Sequence, residues 1–150
     1  MIEIRLLEKD EQIPYELLLL ADESIDSINK YLLKSKIYIA QKGSEIIGIF
    51  CLYKNNETDI ELKNIAIKEK YQRLGYGTTL IDFIKTEVKK NFKTLIVGTA
   101  DVGFRQIKFY EKNGFIKFDV RKNFFLENYP EPIIENGERL KDMILLKFEL

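Results

Sequence analysis

The chain has 150 residues, 45% of them hydrophobic, which fits one compact domain over residues 1–150 with a real core. Its 24 basic and 24 acidic residues cancel to a formal net charge of zero, and no basic block interleaved with aromatics argues for nucleic acid as a partner. With no histidine and one cysteine, Ser-His-Asp and Cys-His nucleophilic arrangements are excluded. No zinc site or internal disulfide is expected, and a reducing, cytoplasmic location is.

The longest apolar run, LLLLA at 17–21, is too short to cross a bilayer, so no membrane association is expected. IEIRLL (2–7) alternates and reads as a strand; Pro14 suits a helix's first turn, and helical stretches are predicted over about 14–34 with a break near Asp22 to Ser24. KIYIAQ (36–41), the turn Lys42-Gly43-Ser44 and EIIGIFCLYK (45–54) predict a hairpin, in which Cys51 reads as a core residue. DIELKNIAI (59–67) follows as the next antiparallel strand. Within it Ile60 and Leu62 keep a period of two, but the apolar set resumes out of phase at Ile65 and Ile67. One extra residue near Lys63-Asn64, a β-bulge, would restore the alternation.

Leu80, Ile81, Ile84 and Val88 recur at helical spacing and predict an amphipathic helix over about 76–90. TLIVGTA (94–100) reads as a short buried strand, and FRQIKFYEKNGF (104–115) as a helix stopped by Asn113-Gly114. FIKFDVRKNFF (115–125) and MILLKFEL (143–150) read as late strands separated by a loop, ENYPEPIIENGERLKD. Strand alternating with helix implies an α/β arrangement with a locally parallel pair of strands.

Between the 59–67 strand and the following helix lies QRLGYG (72–77). The first amides of a helix lack intrahelical partners and carry the positive end of its dipole, so an anion can sit there. Gly75 and Gly77 would let it approach the backbone. The Walker pattern is absent, and the third glycine of a dinucleotide fingerprint is replaced by Leu80.

Gln72-x-x-Gly75-x-Gly77, preceded by ELKNIAI and followed by FYEKNGF, resembles the pyrophosphate loop and flanking elements of the Gcn5-related N-acetyltransferases. The resemblance extends over about residues 1–150 and is most specific from Asp59 to Phe115. It implies a central mixed, mostly antiparallel twisted sheet of about six to seven strands, with strands 4 and 5 splayed and about four flanking helices. It implies acetyl-CoA as acyl-donor substrate, with no metal. The pantetheine arm would meet the backbone of Ile65, Ala66 and Ile67; the pyrophosphate would meet Gln72, Arg73, Leu74, Gly75, Tyr76, Gly77 and Thr78.

Without histidine, acid–base work falls to Glu, Asp, Tyr or Lys. The resemblance gives Glu61 as general base, Tyr110 as general acid to the departing thiolate, and the Ile67 N–H as oxyanion donor. The family's Asn-x-x-Ala before the F-Y pair is Gly103 and Gln106 here, so Asp101 or Thr99 is expected to cap that helix instead. Acidic residues Asp22, Glu23 and Asp26, with Glu127, Glu131, Glu135 and Glu138 in the late loop, point to a cationic amine acceptor. The resemblance implies a primary amine of a small molecule or protein as the acceptor. The reading admits a homodimer, and its alternative is a non-catalytic acyl-CoA-binding or regulatory domain on the same fold.

Overall fold

The structure, a computed structural model, describes all of residues 1–150. The chain runs β1 (Glu3–Leu6), α1 (Tyr15–Leu18), α2 (Ile25–Leu32), β2 (Ser35–Lys42), β3 (Glu45–Lys54) and β4 (Asp59–Ile67). It continues through a 3-10 turn (Glu69–Tyr71), α3 (Tyr76–Val88), β5 (Thr94–Ala100), α4 (Phe104–Lys112), β6 (Ile116–Arg121) and α5 (Phe124–Asn128). A small hairpin, β7 (Ile134–Glu135) with β8 (Glu138–Arg139), precedes the last strand, β9 (Met143–Glu149).

Seven strands form one sheet in the order β1-β2-β3-β4-β5-β9-β6. Every neighbouring pair is antiparallel except β4 and β5. The strands from β1 to β4 follow the alternation read from the sequence, and the β2–β3 turn places Gly43 at φ 61, where a residue without Cβ is unstrained. Two differences from expectation lie late in the chain. Phe124 and Phe125 belong to a fifth helix rather than to a strand, and the 127–142 loop contains the β7–β8 hairpin. β6 ends at Arg121, before the turn that carries Asn123 at φ 57, and a left-handed residue interrupts an extended run.

The sheet buries apolar residues on both faces. On one, Leu80, Ile81, Ile84 and Val88 of α3 pack with Phe50, Leu62, Leu95 and Leu146. On the other, Leu17, Leu18, Ile28 and Leu32 of α1 and α2 pack with Ile39, Ile49, Cys51 and Ala66. The Ser24 hydroxyl accepts from the Ser27 amide and starts α2, satisfying one of the helix's orphan donors.

The phase slip in β4 is a bulge. Leu62 stands opposite Leu52 and Asn64 opposite Cys51, which leaves Lys63 as the extra residue. Ile60 and Leu62 before it, and Ile65 and Ile67 after it, therefore pack into the same core. The bulge also decides the architecture of the site. Parallel pairing of β4 with β5 stops at Leu62 opposite Val97, while β4 goes on pairing with β3 to Ile67 and β5 with β9 to Ala100. Beyond Leu62 the two strands diverge and open a wedge in the sheet.

Candidate active site

The wedge is a cleft of about 550 Å³, within the roughly 300–1,000 Å³ of sites for small ligands. Ile65, Ala66 and Ile67 line one wall, and Gln72, Arg73 and Gly77 its upper end. Tyr110, from α4, lines it as well. Having no β5 partner after Leu62, β4 presents the backbone groups of its far edge to the cleft. The Gln72 carboxamide donates to the Ile67 carbonyl at 2.8 Å, tying the loop to the end of the strand.

Loop 72–77 is built for donors. No amide from Arg73 to Thr78 donates to another protein group, so six consecutive N–H groups are free at the N-terminus of a 13-residue helix. The two glycines serve different ends. Gly75 sits at φ 89 with no atom within 4 Å of where a Cβ would be, whereas a Cβ on Gly77 would lie 3.2 Å from the Phe109 ring. Backbone conformation fixes the first and close approach the second. Leu74, Gly75, Tyr76 and Thr78 belong to the loop and first turn without lining the cleft itself.

Tyr110 is 8% exposed and stacks edge-on between Phe109 and Phe115. Burial pushes its phenol well above the usual tyrosine range, so it keeps its proton at neutral pH. At the start of the same helix, neither Asp101 nor Thr99 acts as the expected cap. Gly103 is the N-cap, its own amide bonded to the Ala100 carbonyl, and no side chain accepts from the helix. Asp101 is held instead through its amide on the Asp142 carbonyl, and its Oδ1 is buried without a partner.

Glu61 lines a second, smaller cavity of about 230 Å³ that adjoins the cleft, sharing Asp22, Lys63, Gly98 and Tyr129 as walls. Its carboxylate is 2% exposed and fully engaged. Arg121 donates to both oxygens, at 2.8 and 3.1 Å, Asn55 donates at 3.0 Å, and the Lys63 ammonium lies at 3.3 Å. Burial alone would raise this carboxyl, but Arg121, Lys63 and Asn55 together outweigh it and hold it below the ordinary range. Glu61 is therefore a fixed anion at neutral pH.

The acids of the first helical region and late loop divide. Asp22 lines both cavities and Glu23 and Glu135 line the cleft, whereas Asp26, Glu127, Glu131 and Glu138 line neither. Several site residues lay outside the sequence reading. Gly98 stands in β5 where a Cβ would come within 2.5 Å of the Met143 sulfur; a glycine inside a strand pattern is a signal of such an approach. The Asn64 carboxamide donates to the Leu18 carbonyl and the Tyr31 hydroxyl; the bulge marks its position but not these partners, and nothing local in the sequence marks Arg121.

Cys51 is fully buried, lines neither cavity, and has its thiol pushed up to about 12 by burial. No group of three or more Cys, Asp or Glu side chains stands together to hold a metal ion. No helix is long and apolar enough to cross a membrane.

Comparison with known proteins agrees with this geometry. Residues 34–117, more than half the chain, match the family model of the acetyltransferase (GNAT) domain. The uncharacterised N-acetyltransferase YvbK of Bacillus subtilis strain 168 is 37% identical over 150 residues, covering 99% of this chain and 97% of its own. Among solved structures, a GNAT family acetyltransferase from Elizabethkingia anophelis with acetyl-CoA bound superposes with a TM-score of 0.96 at 44% identity, covering 99% of this chain and 98% of its own. A Bacillus subtilis acetyltransferase in complex with CoA gives 0.89 at 36%, covering 100% and 99%.

Proposed function

Because the chain belongs to the Gcn5-related N-acetyltransferase family, we propose that it moves the acetyl group of acetyl-CoA directly to a primary amine. It is an acyltransferase with acetyl-CoA as donor, as the ligands of its structural relatives support. The observation that carries the reading is the continuity of the site: the loop of free amides at 73–78 stands at the head of one cleft, which Arg73, Gly77, the unpaired edge of β4 and Tyr110 line. The loop amides with Gln72 and Arg73 would hold the pyrophosphate, and the backbone of Ile65, Ala66 and Ile67 the pantetheine arm.

In the reaction the ammonium gives one proton to a base, the neutral amine nitrogen bonds to the thioester carbonyl carbon and the C–S bond breaks; nitrogen then loses a second proton, which balances the one the thiolate takes. An alkyl ammonium with a pKa of about 10.4 must be deprotonated first. Glu61, an anion beside the smaller cavity, is the proposed base, acting through water, since both its oxygens already accept from the protein. Tyr110 is the proposed acid, and the Ile67 N–H the oxyanion donor. Direct attack, without an acyl-enzyme, fits a chain that has no histidine and whose one thiol is buried away from both cavities. A reducing compartment, the cytoplasm, suits that single thiol.

Thiol release from acetyl-CoA with a panel of primary amines tests the proposal. An amine-dependent rate supports it. Acetyl-CoA that raises the melting temperature without any amine releasing thiol would leave an acyl-CoA-binding module in its place.

A further inference from the structure

The smaller cavity has walls from six separate parts of the chain, and their charges do not balance uniformly. Glu61 is neutralised by Arg121 and Lys63. The Lys30 ammonium donates to the Asn128 carbonyl. Asp22, by contrast, has no cationic partner within salt-bridge distance; its two oxygens accept only from hydroxyls, Tyr129 at 2.6 Å and Tyr31 at 3.2 Å. Both phenols are pushed up chiefly by burial, with the Asp22 charge adding to it, and so remain donors. An oriented carboxylate on a cavity wall, without a cation of its own, is preorganised for an ammonium guest.

The same residues join two walls of the cavity. Tyr129 reaches Asp22, and the Asn128 carbonyl accepts from Ser27 and Lys30, so the α5 segment is laced to α2 across about a hundred residues of chain. At about 230 Å³ the space is below the usual range for drug-sized ligands. Its apolar lining is largely aromatic, from Tyr31, Tyr53, Phe124 and Tyr129.

The geometry points to a small arylalkyl monoamine as the acceptor, its ammonium received by Asp22 at the junction with the cleft and its ring by the four aromatic side chains. This rests on the acetyl-transfer reading above and narrows it. A polyamine or aminoglycoside would carry further positive charges toward Lys30 and Lys63, and a polypeptide exceeds a space of about 230 Å³.

The full chain is assayed with acetyl-CoA and phenethylamine, spermidine, kanamycin or an alanine-initiated hexapeptide. Phenethylamine is expected to give the highest kcat/KM, by about tenfold or more, the difference one unmatched charge commonly makes. Asp22→Asn is expected to raise the KM for phenethylamine about tenfold to a hundredfold, the range for losing a charge-assisted hydrogen bond, with acetyl-CoA Kd unchanged. Tyr129→Phe acts in the same direction but less, and Glu57→Gln, exposed and lining neither cavity, leaves KM alone. Preference for spermidine, kanamycin or the peptide overturns the inference while acetyl transfer stands. So does an Asp22→Asn enzyme with an unchanged KM. Bound acetyl-CoA without thiol release to any of the four overturns both.

Discussion

The two cavities that meet at Gly98 and Lys63 are made in different ways. The cleft has a backbone part, the edge of β4 after the bulge and the six free amides at its head, that comes from one stretch between residues 63 and 78. The smaller cavity is mostly side chains, brought from Asp22 and α2, from β3, β4 and β9, and from α5 with Tyr129. A backbone site depends on conformation and tolerates many side chains, whereas a side-chain site can change its guest by substitution without disturbing the donor. The difference teaches where to cut: variants of the cleft should alter acetyl-CoA binding or chemistry for every amine, and variants of the cavity should alter the choice of amine.

The largest effect expected at the cleft is on chemistry. Tyr110→Phe keeps the ring between Phe109 and Phe115 but removes the proton. With general acid catalysis contributing about a hundredfold or more, kcat should fall by that order for all amines while acetyl-CoA Kd holds, measured by single-turnover kinetics and calorimetry. A retained kcat would assign Tyr110 to packing alone. Next comes Gly77→Val, which places branched methyls where one Cβ already meets Phe109 at 3.2 Å. Overpacking of about 1–3 kcal/mol corresponds to an acetyl-CoA Kd raised about fivefold to a hundredfold. A folded variant with native affinity would return 72–77 to being an ordinary turn.

What could be read from the sequence follows the same division. The bulge was visible as a phase slip between Leu62 and Ile65 because a period of two is strict, and the loop was visible because Gly75 and Gly77 mark backbone that side chains would obstruct. Both signals are local. Arg121 reaching Glu61 across 60 positions and Tyr129 reaching Asp22 across 107 leave no such trace, since no periodicity links residues that meet only in the folded chain. Phe124 and Phe125 misled for a related reason: a short apolar run is as compatible with a helix as with a strand, and the left-handed Asn123 that separates them from β6 has no unambiguous signature.

A third measurement tests whether Glu61 is also part of the scaffold between the two regions. Arg121→Met leaves its carboxylate buried with only Lys63 and Asn55. Because Arg121 is itself 33% exposed, the loss is discounted from that of a fully buried pair to about 1–2 kcal/mol at pH 7. The folded carboxyl lies below its ordinary value of 4.5, so its stabilisation is complete above that pH and is lost as pH falls through the folded value. The gap between wild type and Arg121→Met in urea melts should therefore narrow below about pH 4.5. A pH-independent gap would mean that Arg121 acts through packing.

The smallest expected effect separates the two glycines. Alanine at Gly75 meets nothing within 4 Å, so only its φ of 89 opposes the change, at about 1–2 kcal/mol for a left-handed non-glycine residue. Alanine at Gly77 enters a helix, where it gains up to about 1 kcal/mol over glycine, but its Cβ presses on Phe109 at the cleft. Gly75→Ala should therefore lower Tm and weaken acetyl-CoA binding together, through a distorted loop. Gly77→Ala should leave Tm nearly unchanged and weaken binding alone. Thermal melts with and without acetyl-CoA read both quantities. If the two variants behaved alike, conformation and close approach would not be separable at this loop, and the distinction between the glycines would fail.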